Sequence, residues 1–151
     1  MKKHQVILSA VLLVLFLGVQ TPQFAQDGST GPAKADQERR MVAIGLLRTI
    51  NTAEVTYHAR NGSFVVWKTL VSDQPKYFDE FLAIHGLQKA NAHFSDAPEI
   101  LPGWNLRLNV HLDGQGYDLL LRDMKDEKCG YAALTDESGI IRQSKAIDCE
   151  I

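Results

Sequence analysis

From Trp104 to Leu112 the chain alternates without a break. Trp104, Leu106, Leu108, Val110 and Leu112 are apolar, and Asn105, Arg107, Asn109 and His111 between them are polar. Successive side chains of a strand point to opposite faces, so this string predicts a β-strand with one buried and one wet face. Such a strand needs neighbours beside it and a cover over its apolar side. The neighbours follow in order. Asp113-Gly114-Gln115-Gly116 reads as a hairpin turn and Tyr117 to Arg122 as the returning strand. The charged run Asp123 to Lys128 reads as a loop, Gly130 to Leu134 as a third strand, Asp136 to Gly139 as a turn, and Ile140 to Gln143 as a fourth strand.

The cover is supplied upstream. Val42, Ala43, Leu46, Ile50, Ala53 and Tyr57 recur at helical spacing and form one core face. Asp36 is the expected cap, Glu38 an acid in the first turn, and Asn61-Gly62 the left-handed stop. The expected fold class is α+β, with a long N-terminal amphipathic helix packed on a roughly four-stranded antiparallel sheet. Asp73, Pro75 and Gly86 bracket Tyr77, Phe78, Phe81, Leu82 and Ile84 as a short second helix, and Ala90 to Pro102 reads as a loop. Met41, Ile44 and Val55 fall on the far side of the first helix beside Arg48 and Asn51, which makes them a candidate contact surface. Scattered apolar residues are also ordinary on a monomer.

At 151 residues and 45% hydrophobic content the chain has apolar mass for one core. Met1 to Ala25 has the basic, apolar and small-polar order of an export signal, and its apolar run falls short of the roughly 20 residues of a spanning helix. Residues 26–35 read as a flexible spacer and 36–151 as the domain. A periplasmic or secreted protein is expected, and the membrane becomes a partner only if the signal is retained as an anchor. Loss of Lys2 and Lys3 with the signal takes the net charge from −2 to −4, which disfavours nucleic acid. In an oxidising compartment Cys129 and Cys149 are expected to pair, the alternative being two buried thiols.

Chemistry is thinly represented. His58, His85, His93 and His111 form no close helical pair and do not join the cysteines at zinc spacing, so no metal or cofactor is expected. His58 is expected to pair with Glu54 one turn before it. Neither a Gly-x-Ser-x-Gly string nor a phosphate-cradling glycine loop occurs, and no enzymatic activity is expected. Asp113, Asp118, Asp123, Asp126, Glu127 and Asp136 make the hairpin loops acidic and open a Ca²⁺ reading against one of turn formers. The aromatic group Phe64, Trp67, Tyr77, Phe78, Phe81 and Trp104 reads either as a platform for a sugar or peptide or as a plug between helix and sheet.

The helix string Ala43-Ile44-Gly45-Leu46-Leu47-Arg48-Thr49-Ile50-Asn51-Thr52-Ala53-Glu54-Val55-Thr56-Tyr57, the following Asn61-Gly62-Ser63-Phe64, Leu134 to Arg142 and the C-terminal cysteine pair together resemble type IV pilin and pseudopilin heads over about two-thirds of the chain. The resemblance implies a pilin-like head, a disulfide-closed C-terminal loop, and action through contact with envelope or pilus proteins. In pilins an apolar assembly segment runs into this helix after a leader cut at Gly. Here Gln37-Glu38-Arg39-Arg40 stands at that place. Burying that charged turn unpaired in a filament core would cost several kcal/mol per subunit, so filament assembly by the usual route is not expected. A non-enzymatic, exported contact module is the leading expectation, as a pilus or secretion accessory or an adhesive or scaffolding module. A periplasmic binding domain for a sugar, peptide or Ca²⁺ is the alternative.

Overall fold

In a computed structural model of the chain, residues 32–88, 94, 99–126 and 128–145 are described. The expected export signal, most of the expected spacer, His93, Glu127 and Cys149 lie outside them. The architecture is α+β. Helix α1 (Pro32–Asn61), α2 (Trp67–Asp73) and α3 (Pro75–Ile84) precede five strands, β1 (Glu99–Leu101), β2 (Trp104–Val110), β3 (Tyr117–Asp123), β4 (Ala132–Asp136) and β5 (Arg142–Ser144). The strands form one antiparallel meander in the order β1-β2-β3-β4-β5.

The sheet has five strands where the alternation pattern predicted four. The added strand, β1, is only three residues long and lies in the stretch read as a loop, pairing irregularly with β2 through Glu99 opposite Asn105 and Leu101 opposite Trp104. A three-residue strand is too short to display alternation. The β2–β3 ladder is regular from Trp104 opposite Asp123 to Val110 opposite Tyr117. It ends earlier than the alternation does. His111 N–H donates to the Gly116 carbonyl at 2.8 Å and closes the hairpin, which leaves Leu112 wholly exposed on the turn rather than on the buried face.

Helix α1 begins at Pro32, so Asp36 and Glu38 stand inside it rather than at its cap and first turn, and the first turn holds no acid. Its end is as expected: Gly62 takes a positive φ of 77° and donates to the His58 carbonyl at 2.7 Å. The helix packs on β3, β4 and the two shorter helices. Ala43, Leu46, Leu47, Ile50 and Ala53 have no exposure. Val42 and Tyr57, also expected on this face, are partly buried at its margins. The inner face of the sheet answers with Trp104, Leu106, Tyr117, Leu119, Leu121 and Ala133.

Helices α2 and α3 divide at Gln74. Its N–H closes α2 on the Leu70 carbonyl at 2.9 Å, and Pro75, which has no N–H to donate, opens α3. Asp73, the expected cap of the second helix, is instead the last residue of α2 and takes Arg60 of α1 at 2.6 Å. At Gly45 a Cβ would stand 2.6 Å from His85 Nε2, so any larger residue would have to turn the His85 ring aside.

Because Ile50 is fully enclosed between helix and sheet, Ile50→Ala is expected to cost about 2–5 kcal/mol in chemical denaturation. A cost below about 1 kcal/mol would contradict the packing described.

Candidate functional site

The face that α1 turns to the sheet carries polar as well as apolar groups. Asn51, which helical spacing placed on the far side, is buried: its Nδ2 donates to Thr135 Oγ1 at 3.1 Å and its Oδ1 accepts from the Tyr117 hydroxyl at 2.9 Å. These bonds tie α1 to both β3 and β4 and use up groups that would be costly if left unpaired in the core. Glu54, expected to pair with His58 at the surface, is also enclosed. Its Oε2 accepts the Val65 N–H at 3.1 Å. His58 stacks on Phe64 with ring centroids 4.4 Å apart and meets Gln115 across 3.5 Å.

The opening turns of α1 are held by the domain itself. Arg39 donates to Asp123 Oδ1 at 2.8 Å while its guanidinium stands 5.4 Å from the Trp104 ring centroid. Arg40 lies 4.7 Å from the Tyr131 ring centroid and 3.6 Å from Asp126. Guanidinium over an aromatic face with a carboxylate beside it is a favourable partly desolvated arrangement. Asp123 accepts Lys125 N–H, and Asp126 accepts the Cys129 and Tyr131 amides, so both acids also shape the β3–β4 loop. The sequence marks Arg39 and Arg40 as a charged turn but gives no sign of their partners, which lie far along the chain on β2, on β3 and in the β3–β4 loop.

The acidic loops are similarly occupied. Asp113 accepts the Gln115 amide, Asp118 lies 3.3 Å from His111, and Asp136 accepts from Ser138 and Arg142. The Ser138 hydroxyl first, then Arg142, hold the Asp136 carboxyl below its usual pKa. Among the described residues no three His, Cys, Asp or Glu side chains gather at a metal-holding distance. The aromatic group is a plug and not an exposed platform. Trp67, Phe78, Phe81 and Trp104 are buried, Trp67, Phe78 and Phe81 pack around Phe94, and Trp67 Nε1 donates to the Phe94 carbonyl at 2.6 Å.

Exposed apolar residues lie on the outer side of α1 and on α3, and Val66, Leu112, Met124 and Ile140 are open elsewhere on the surface. Met41, Arg48, Thr52 and Val55 are exposed along one stripe, with Met41 and Val55 57% and 53% accessible. Four turns of helix, about 21 Å, separate these two, and Arg48 stands midway. Ile44 sits on the shoulder, half-buried against the core. Sequence reasoning missed Ile84 at the end of α3, which is 79% exposed. It stands at the rim of a cleft of about 240 Å³ whose floor is Gly45, Thr49 and Phe81 and whose walls include Arg48, Tyr77 and Glu80. The helical pattern of α3 alone does not reveal that Ile84 shares a cleft with Arg48 and Thr52 of α1.

No helix among the described residues is long and apolar enough to cross a membrane. Cys129 lies in the β3–β4 loop with its N–H donating to Asp126 Oδ1 at 2.9 Å, and Cys149, the chain's other cysteine, lies outside the described residues. No family model, curated protein or solved structure matches the chain.

The Arg39–Asp123 pair joins a buried acid to a partly buried guanidinium. A double-mutant cycle of Arg39→Ala and Asp123→Ala is expected to show about 1–2 kcal/mol of coupling, with Arg39→Ala alone destabilising because it strands a buried carboxylate. Additive effects would place Arg39 in solvent.

Proposed function

We propose that this chain is a non-enzymatic contact module of pilin-like form, exported by residues 1–25 and working through the outer side of α1. The supporting observation is the division of its surface-capable groups. The aromatic residues and loop carboxylates that a ligand-binding domain would need are engaged inside the fold or in its turns. Met41 and Val55 on α1 and Ile84 on α3 are instead open, and Ile84 lines a cleft with Arg48 and Thr52 of α1. A protein partner, presenting one apolar side chain to the cleft and polar groups to Arg48, Thr52 and Glu80, fits that mixture better than a small ligand does. Contact surfaces combine apolar points with a polar surround in this way.

The resemblance to pilin heads makes an envelope or pilus component the expected partner. A long first helix lying on an antiparallel meander is compatible with that reading. Arg39 and Arg40 add a reason to separate the domain from ordinary filament subunits: their ion pairs and ring contacts run to this domain's own strands and β3–β4 loop, and assembly through an apolar helix continuing from α1 would expose these groups to competition. We assign the Cys129–Cys149 pairing to the same proposal. It would close the segment after the sheet and stabilise by roughly 3 kcal/mol on the chain-entropy account.

Met41→Asp with Val55→Asp tests the surface. Both positions are exposed, so stability is expected to change by no more than about 0.5 kcal/mol for each. In-cell cross-linking should lose its envelope or pilus partner in the double variant. A wild-type domain that captures no such component, or a variant that captures it equally well, refutes the assignment.

The disulfide is tested separately. Denatured, unreduced protein is expected to take up no thiol label, and labelling of both cysteines would contradict the pairing.

A further inference from the structure

Glu54 is an ionisable side chain set in the apolar layer of α1, with no solvent exposure. One carboxyl oxygen, Oε2, accepts the Val65 N–H at 3.1 Å, and the other, Oε1, has no hydrogen-bond partner. The Val65 amide belongs to the link between α1 and α2, residues 62–66, which crosses the β2–β3 hairpin turn. Among the described residues two hydrogen bonds tie that link to the hairpin. Phe64 N–H donates to the Gly114 carbonyl at 2.9 Å, and Gln115 Nε2 donates to the Gly62 carbonyl at 3.0 Å. The Phe64 ring lies between His58 and Tyr117, with centroids 4.4 and 4.9 Å away.

Among the described residues no cation answers Glu54. The 62–66 link has no ionisable side chain. From β3 comes Tyr117, whose hydroxyl is held neutral because burial first, then the carboxylates of Glu54, Asp136 and Glu137, push its pKa up. From β4 and the turn after it come Asp136 and Glu137, both acids, with Glu137 accepting Tyr117 N–H at 3.4 Å. On α1 itself Tyr57 and His58 follow one turn later, and His58 is engaged with Phe64 and Gln115. A carboxylate in this place is desolvated with a single amide to compensate, whereas the neutral acid is not penalised in the same way.

We propose that Glu54 is a pH-sensitive latch on the 62–66 link: as the neutral acid it stays enclosed and holds the link on the hairpin, and as the carboxylate it is relieved when the link lifts and water reaches Oε1. Burial raises its pKa from 4.5 to about 7, and the Val65 amide offsets part of that rise. For an acid whose folded-state pKa lies above its unfolded value, stabilisation is complete below the unfolded value. It is lost as pH rises through the folded one. The link therefore loosens on going from mildly acidic to neutral and alkaline conditions. This frees the C-terminal end of α1 while the Arg39–Arg40 anchor holds the other. The latch does not depend on the contact surface proposed above.

Amide exchange of Phe64 and Val65, corrected for intrinsic rate, tests it on the full chain between about pH 5 and pH 8.5. In the wild type the opening equilibrium of the link is expected to increase with pH, by up to about tenfold per unit between the two pKa values. Glu54→Gln keeps the acceptor for Val65 and cannot ionise, so its profile is expected to be flat. Parallel profiles in the two proteins overturn the latch. Should Glu54→Gln fail to fold, the carbon NMR titration of the wild-type carboxyl decides: an inflection near 7 shared by the Val65 amide supports it, and one near 4.5 overturns it.

Discussion

The contact between α1 and the inner face of the sheet is the one from which the other features follow. An antiparallel meander with Leu106, Leu119, Leu121 and Ala133 on one side has no stable form in water until that side is covered. Leu46, Leu47, Ile50 and Ala53 cover it from a single helix. Apolar packing alone would let a helix slide or turn on the sheet. Asn51, bonded to Tyr117 and Thr135 on two different strands, allows one rotation and one height. Directional bonds inside an apolar layer fix register at a modest net gain, because any other register leaves them unmade.

The two ends of α1 are fastened by different physics. At the N-terminal end Arg39 and Arg40 combine charge with ring contact, and they act on the loop that shapes the approach to Cys129. At the other end the fastening is a buried acid and a few backbone bonds. The first is partly exposed and answers to salt. The second is enclosed and answers to pH. A helix held this way presents its outer stripe rigidly along most of its length, which suits a surface that works by contact.

Where the sequence carried periodicity, it was readable. Trp104 to Val110 announced β2 and its partner strand, and Leu46, Ile50 and Ala53 announced the helix face. Failures came where the deciding partner is distant or the element short. Helical spacing put Asn51 on the far side and Glu54 at the surface, and Tyr117, Thr135 and Val65 draw them inward. Strand β1 is too short for alternation. Leu112 continued the pattern past the point where the hairpin bond ended the strand. Of the candidate site, Met41 and Val55 were legible as exposed apolar points. Ile84 was not, because the cleft it lines with Arg48 and Thr52 depends on how α3 packs beside α1.

Native-state hydrogen exchange is the most direct measurement of whether α1 and the sheet form one cooperative unit. Amides of α1 between Leu46 and Ala53 are expected to exchange with the same opening free energy, and the same denaturant dependence, as the central amides of β2 and β3. If the α1 amides exchange through a separate, lower-energy opening while the sheet stays protected, the helix is an appendage and its contact with the sheet does not hold the fold together.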